Sequence, residues 1–183
     1  MSVHCTNGVD VLVEPLLPDF GYACDVGAND GHCFSNTYHF EEKGWIVLCV
    51  EANPGLEEIG RSRRKLWRPV GAGAEDRIAT FYAHGGGSMA SASGFVHKSG
   101  VSAQVQMLRL DRILEEAGFP RLDFLTVDSE GYEVEVMKGF DIERWKPRVI
   151  VLEDYPDGTS LVAPAGYRMI DRKEFDNVYV REA

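Results

Sequence analysis

Apolar residues along this chain of 183 residues come in short blocks separated by glycine, proline and charge. The blocks at 45–50, 122–127 and 148–153 are nearly unbroken, the mark of strands covered on both faces, and 22–26 and 66–70 read as further strands. A helix is expected over 32–43, where Phe34, Tyr38 and Phe40 form an apolar face and Gly44 stands as the stop. Asn53-Pro54 opens another helix that runs to 63, since Pro54 suits a first helical turn. Further helices read over 111–117 and over 132–138, the second closed by Gly139. Shorter strands fall at 78–83 and 104–109, and the chain ends in a hairpin-like pair at 167–170 and 177–181. Strand and helix alternate, which predicts a parallel sheet with helices on both faces.

Two segments stand outside this rhythm. Residues 1–21 read as an ill-defined lead-in, in which Pro15 and Pro18 break any long helix, before a single domain over 22–183. Residues 84–103 are rich in Gly, Ser and Ala and carry few core anchors. Such a stretch is either a lid over a site or a surface excursion, and it is the natural seat of specificity. A second copy of the chain could order it, making a homo-oligomer.

Composition narrows the partners. The 44% hydrophobic content supports one sizeable core. The net charge of −10 leaves no basic footprint for a phosphate backbone or an anionic lipid surface. Neither nucleic acid nor membrane is therefore expected as a partner. The one dense basic run, Arg61-Ser62-Arg63-Arg64-Lys65, reads as a solvated helix end. Cys5, Cys24, Cys33 and Cys49 show no metal-ligand spacing, and Cys24 and Cys49 sit inside apolar strands. They read as structural thiols of a reducing cytoplasm. No secretory signal and no membrane-length apolar run is seen, so a soluble, cytoplasmic protein is expected. Trp45, Trp67, Trp145 and Met89 are assigned to packing.

The candidate chemistry begins where the first strand ends. Asp25-Val26-Gly27-Ala28-Asn29-Asp30-Gly31 is a glycine-spaced turn, and Glu51 ends the second strand. A dinucleotide site wants three glycines as GxGxxG, so that pyrophosphate can lie against bare backbone. Here the pattern is D-x-G-x-N-x-G, with a further carboxylate at Asp30. Those acids repel a pyrophosphate and suit a cofactor bearing an ammonium and a sulfonium. S-adenosylmethionine is the cofactor this favours, ahead of a nicotinamide enzyme. Asp25 and Asn29 shape the turn, Gly27, Ala28 and Gly31 bring backbone close to the methionine moiety, and Glu51 with Ala52 meets the ribose.

Asp128 and Glu130 end a later strand and alternate, so both point one way in extended chain. As a pair they would raise one another's proton affinity and serve as a general base. The other reading has Asp128 on the methionine ammonium and Glu130 capping the helix at Tyr132. His84 and His97 flank the small-residue segment as lesser base candidates, His97 being the one kept among the catalytic residues. Asp128, Glu130, Glu153 and Asp154 could hold Mg²⁺ or Ca²⁺, but a metal-free site is the preferred expectation.

The chain resembles the FkbM family of S-adenosylmethionine-dependent methyltransferases. The resemblance lies in DVGANDG at 25–31, VEANP at 50–54, LRLDRIL at 108–114 and DFLTVDSEGYEVEVMKG at 123–139. VIVLE, AGY and NVYVR complete it at 149–153, 165–167 and 177–181. The resemblance implies a class I methyltransferase fold: a Rossmann-like α/β three-layer sandwich with a mostly parallel seven-stranded sheet whose last strand is antiparallel. It also implies O-methylation of a hydroxyl on a small molecule or saccharide. A cofactor-binding module without catalysis is the alternative from another class.

Overall fold

The computed structural model describes residues 8–83, 95, 100–153 and 159–182. The strands are β1 (Tyr22–Val26), β2 (Ile46–Val50), β3 (Leu66–Arg68), β4 (Gly71–Ala72), β5 (Arg77–Ala83), β6 (Val101–Leu108), β7 (Phe124–Val127), β8 (Val149–Glu153), β9 (Tyr167–Lys173) and β10 (Asp176–Arg181). The helices are α1 (Val9–Val13), α2 (Tyr38–Glu42), α3 (Glu57–Arg63), α4 (Leu110–Glu116), α5 (Glu133–Lys138), α6 (Ile142–Trp145) and α7 (Thr159–Val162). Seven strands make one sheet in the order β3-β2-β1-β7-β8-β10-β9. Neighbours from β3 to β8 are parallel, and β10 runs antiparallel to both β8 and β9. The mostly parallel sheet with an antiparallel last strand is therefore present.

The apolar runs are continuous because both faces of the sheet are covered. Cys24, Val26, Leu48, Val50, Leu125 and Val127 turn to one face, where they pack with Leu110, Ile113, Leu114, Val136 and Trp145 of α4 to α6. Ala23, Val47, Cys49 and Phe124 turn to the other, against Val9 and Val13 of α1 and Phe40 of α2. This period of two makes the three layers. A second, three-stranded sheet in the order β4-β6-β5 has its own small core of Ala79, Phe81, Val105 and Met107.

Three local expectations change. The part of the lead-in that is described, from Gly8 on, is built into the fold: Val9 and Val13, one helical turn apart, are fully buried on the main sheet. The helix expected over 32–43 shrinks to α2. Asp30 Oδ1 accepts from the His32 and Cys33 N–H groups, and Ser35 Oγ accepts from those of Thr37 and Tyr38. These side chains take the backbone donors a helix would have used. Phe34 accordingly has a left-handed φ of 62° and is exposed rather than part of an apolar face. Finally, β6 begins at Val101, so residues 101–103 pair with β5 as strand. Of the 84–103 segment only Phe95 and residues 100–103 are described. His84, Met89, His97 and Asp154 lie outside the described residues, as do Cys5 and the other residues before Gly8. Among the described residues no helix is long and apolar enough to cross a membrane.

Candidate active site at the carboxyl edge of the sheet

The turn after β1 is pinned to its neighbours by backbone. Gly27 and Ala28 both donate to Val50 O, and Asp128 N–H donates to Val26 O at 2.9 Å. This places 27–31, 51–53 and 128–131 side by side beyond the strands, where open α/β sheets hold ligands. Each glycine of the turn also has a packing reason. A Cβ at Gly27 would sit 1.6 Å from Asp128 O, and one at Gly31 would sit 2.7 Å from Arg64 Cγ. Both have positive φ, 83° and 80°.

Behind the turn lies a buried polar network that no motif announced. Asp25 Oδ2 accepts from Thr37 Oγ1 at 2.5 Å and from Ser35 Oγ at 3.1 Å. Arg64 has a fully buried side chain and pairs with buried Glu41 at 2.6 Å. Its guanidinium also donates to Gly31 O, Ser35 Oγ and Thr37 Oγ1 at 2.9–3.1 Å. Arg63 pairs with Asp30 at 2.5 Å. The basic run is thus a solvated helix end only in part; Arg63 and Arg64 brace the turn. Burial opposes ionisation of Asp30, but the His32 and Cys33 N–H groups and Arg63 outweigh it and hold the carboxyl below its usual range. Its charge is balanced locally, so it adds little to the electronegativity expected of the turn.

Glu51 is set differently. It is buried, and its two oxygens accept from Asn29 N–H at 2.9 Å and Asn53 N–H at 2.7 Å. Among the described residues no Lys or Arg pairs with it. Burial pushes its carboxyl up to about 7 in spite of the backbone N–H groups of Asn53, Asn29 and Ala52, with the Asp25 charge adding to the rise. Ala52, next to it, packs on the small sheet.

Across the edge, Asp128, Glu130 and Glu153 each bring one carboxylate oxygen within 4.8 Å of the others. Burial, a hydrogen bond with Glu153, and the charges of Glu153, Asp176 and Glu130 hold the Asp128 carboxyl well above its usual range. Half-buried Glu130 is pushed up to about 7 by burial and by the Glu153 and Glu133 charges. Glu130 has a φ of 55° and Gly131 one of 95°. The capping role falls not to Glu130 but to Glu133, which accepts from Ser129 N–H, Ser129 Oγ and Gly131 N–H at 2.9–3.1 Å. Asp176 is buried and faces Glu153 in strand register. Glu133 stood inside a recognised block and Glu153 at a strand end, so both were visible as acids. Arg64 was masked by its basic neighbours, and Asp176 by its place in a hairpin.

The site therefore joins a glycine turn, a buried strand-end carboxylate and a proton-holding acid cluster. Such a set can bind a cationic nucleoside and take up a proton. The family described as Methyltransferase FkbM domain matches residues 25–175. Methyltransferase sdnD of Sordaria araneosa is 36% identical over 86 residues, which are 42% of this chain and 32% of that protein. The match thus spans about a third of that relative's length. A TehB-like SAM-dependent methyltransferase from Corynebacterium glutamicum superimposes with a TM-score of 0.50 at 11% identity, over 96% of this chain and 88% of that one. That last likeness is one of fold.

Proposed function

The chain belongs to the FkbM methyltransferase family, and from that premise we propose that it moves a methyl group from S-adenosylmethionine to a hydroxyl oxygen of a small molecule or saccharide. The strand ends fit this cofactor. A carboxylate has about four acceptor positions, and Glu51 has committed one on each oxygen to backbone. With the Ala52 N–H also drawn to the carboxylate, the acceptor capacity left over suits ribose hydroxyls. Hydroxyl donors would favour the ionised form that burial now disfavours. The acid cluster across the edge would supply negative potential for an ammonium and a sulfonium once a bound cation favours its ionised form.

When bound, S-adenosylmethionine supplies an electrophilic methyl group on a positively charged sulfur. The protein has then to orient the acceptor, exclude water and remove one proton. Orientation can offset about 7–11 kcal/mol of barrier. An alcohol is a poor nucleophile until it loses its proton, and a positioned base is worth about 10²–10⁴-fold. Glu130, raised to about 7, exchanges a proton near neutral pH, with Asp128 and Glu153 beside it to share the charge. This match of base to alcohol supports the choice of oxygen.

The observation that carries the reading is Glu51: a buried strand-end carboxylate with no Lys or Arg pairing it among the described residues, beside a glycine turn and opposite the raised carboxyls of Asp128 and Glu130. Calorimetric titration with S-adenosylmethionine and S-adenosylhomocysteine tests it, followed by labelled-methyl transfer to a panel of hydroxyl compounds. Micromolar binding, about −8 kcal/mol, is expected, weakened sharply in Glu51→Ala. Binding without transfer would favour a cofactor-binding module. Displacement by NADH would revive a nicotinamide enzyme, and no binding would refute the proposal.

A further inference from the structure

Tyr132 stands where several parts of the site meet. It directly follows the acid loop 128–131 and is the N-cap residue of α5. Its ring packs with Ala52 and Phe95 against buried Ala79, Phe81, Val105 and Met107 of the small sheet. The ring centroids of Phe95 and Tyr132 are 5.1 Å apart, and those of Phe81 and Phe95 are 5.0 Å apart. A Cβ added at Gly73 would lie 3.6 Å from the Tyr132 ring. The Tyr132 hydroxyl accepts from Arg77 Nη2 on β5 at 3.3 Å. Ala52, on the same small core, is the residue after Glu51. Donor pocket and acid loop are therefore fastened to one apolar body.

The acid loop needs such a fastening. Glu130, a non-glycine residue, has a positive φ of 55°, a conformation that persists only where neighbours impose it. On its upstream side the loop is held by Asp128 N–H to Val26 O. On its downstream side it has the Glu133 carboxylate and the ring of Tyr132.

Resting on the methyl-transfer reading above, we propose that Tyr132 is a positioning residue whose ring, seated on the small sheet beside Ala52 and Phe95, sets the carboxylates of the acid loop relative to the donor pocket around Glu51. The ring carries this role, because among the described residues the hydroxyl bonds only an exposed arginine, at 3.3 Å. The same seat joins Phe95 to the acid loop.

Amide exchange on the full chain, followed residue by residue by NMR with and without S-adenosylhomocysteine, tests this. In the wild type the ligand should slow exchange at Asn29 and Asn53, which hold Glu51, and also at Ser129 and Gly131. Tyr132→Phe should keep both effects. Tyr132→Ala, and Tyr132→Leu as the variant that keeps apolar bulk, should bind the ligand within about threefold of wild type and still protect Asn29 and Asn53. Both should lose at least about tenfold of the ligand-induced protection at Ser129 and Gly131. Retained protection in a folded Ala or Leu variant would overturn the proposal, as would wild-type binding that leaves Ser129 and Gly131 unchanged. A wild type that does not bind the ligand would instead overturn the cofactor reading beneath it.

Discussion

Replacing Arg64 by methionine isolates what holds the donor turn. The side chain is fully buried and gives its protons to Glu41, Gly31 O, Ser35 and Thr37 at 2.6–3.1 Å. Without it, buried Glu41 keeps its Oε1 bond from Lys65 N–H at 2.9 Å but loses its cation. Breaking one partner of a buried ion pair costs about 3–5 kcal/mol. In a chain of this length each kcal/mol moves Tm by about 2–4 °C, so Arg64→Met should lower Tm by about 6–20 °C. Replacing both charges by apolar residues is often close to neutral. The double variant Arg64→Met with Glu41→Leu should therefore recover most of the loss. Urea unfolding followed by far-UV circular dichroism measures all three proteins. S-adenosylhomocysteine affinity should fall in the single variant, because Gly31 O loses its donor. A single-variant loss below about 1 kcal/mol, the value of a surface pair, would refute the reasoning and return Arg64 to the solvated face its sequence neighbours suggest.

Gly27→Ala places a Cβ 1.6 Å from Asp128 O at a φ of 83° and should abolish the folded state, whereas Gly44→Ala, at a φ of 93° in open space, should cost only about 1–2 kcal/mol; comparable stabilities would refute the packing account. Glu51 and Glu130 are raised from 4.5 to about 7, so between those values the folded state binds more protons than the unfolded one and stability falls as pH rises. The drop in unfolding free energy from pH 5 to pH 8 should shrink in Glu51→Gln; an unchanged slope would remove Glu51 from the titration. Glu130→Gln should leave S-adenosylmethionine affinity within about threefold yet lower methyl transfer about 10²–10⁴-fold. Transfer should also survive EDTA, and a rate restored by added Mg²⁺ would hand the role of the acid cluster to a cation.

The main sheet was legible because strands buried on both faces leave long apolar runs, and these match β1, β2, β7 and β8 closely. The helix over 32–43 was misread because periodicity is blind to side-chain oxygens that capture backbone donors, as Asp30 and Ser35 do here. α1 was hidden by its length: five residues show only Val9 and Val13 as a pattern, and burial on the sheet, not propensity, makes the helix. The two-residue β4 had no signal at all. Arg64 illustrates the deeper limit. Its neighbours Arg61 and Lys65 are exposed, and only the turn of α3 against Gly31 and Trp67 decides which cation of the run goes inward.

What separates scaffold from site is how each carboxylate is balanced. Asp30 and Glu41 are buried with an arginine each, and Asp25 is held by two hydroxyls; their charges are consumed in holding the turn. Glu51, Asp128, Glu130 and Glu153 gather at the same edge with no Lys or Arg pairing them among the described residues, although the chain carries 19 such cations. Leaving charges desolvated and unpaired costs stability, and at Glu51, Asp128 and Glu130 that cost appears as carboxyls that hold their protons to unusually high pH. A balanced set would be more stable and inert. An unbalanced one is ready for a cation and a proton, which are what the proposed sulfonium donor and hydroxyl acceptor would bring. The sequence listed all these acids alike, since only the third dimension reveals which of them an arginine reaches.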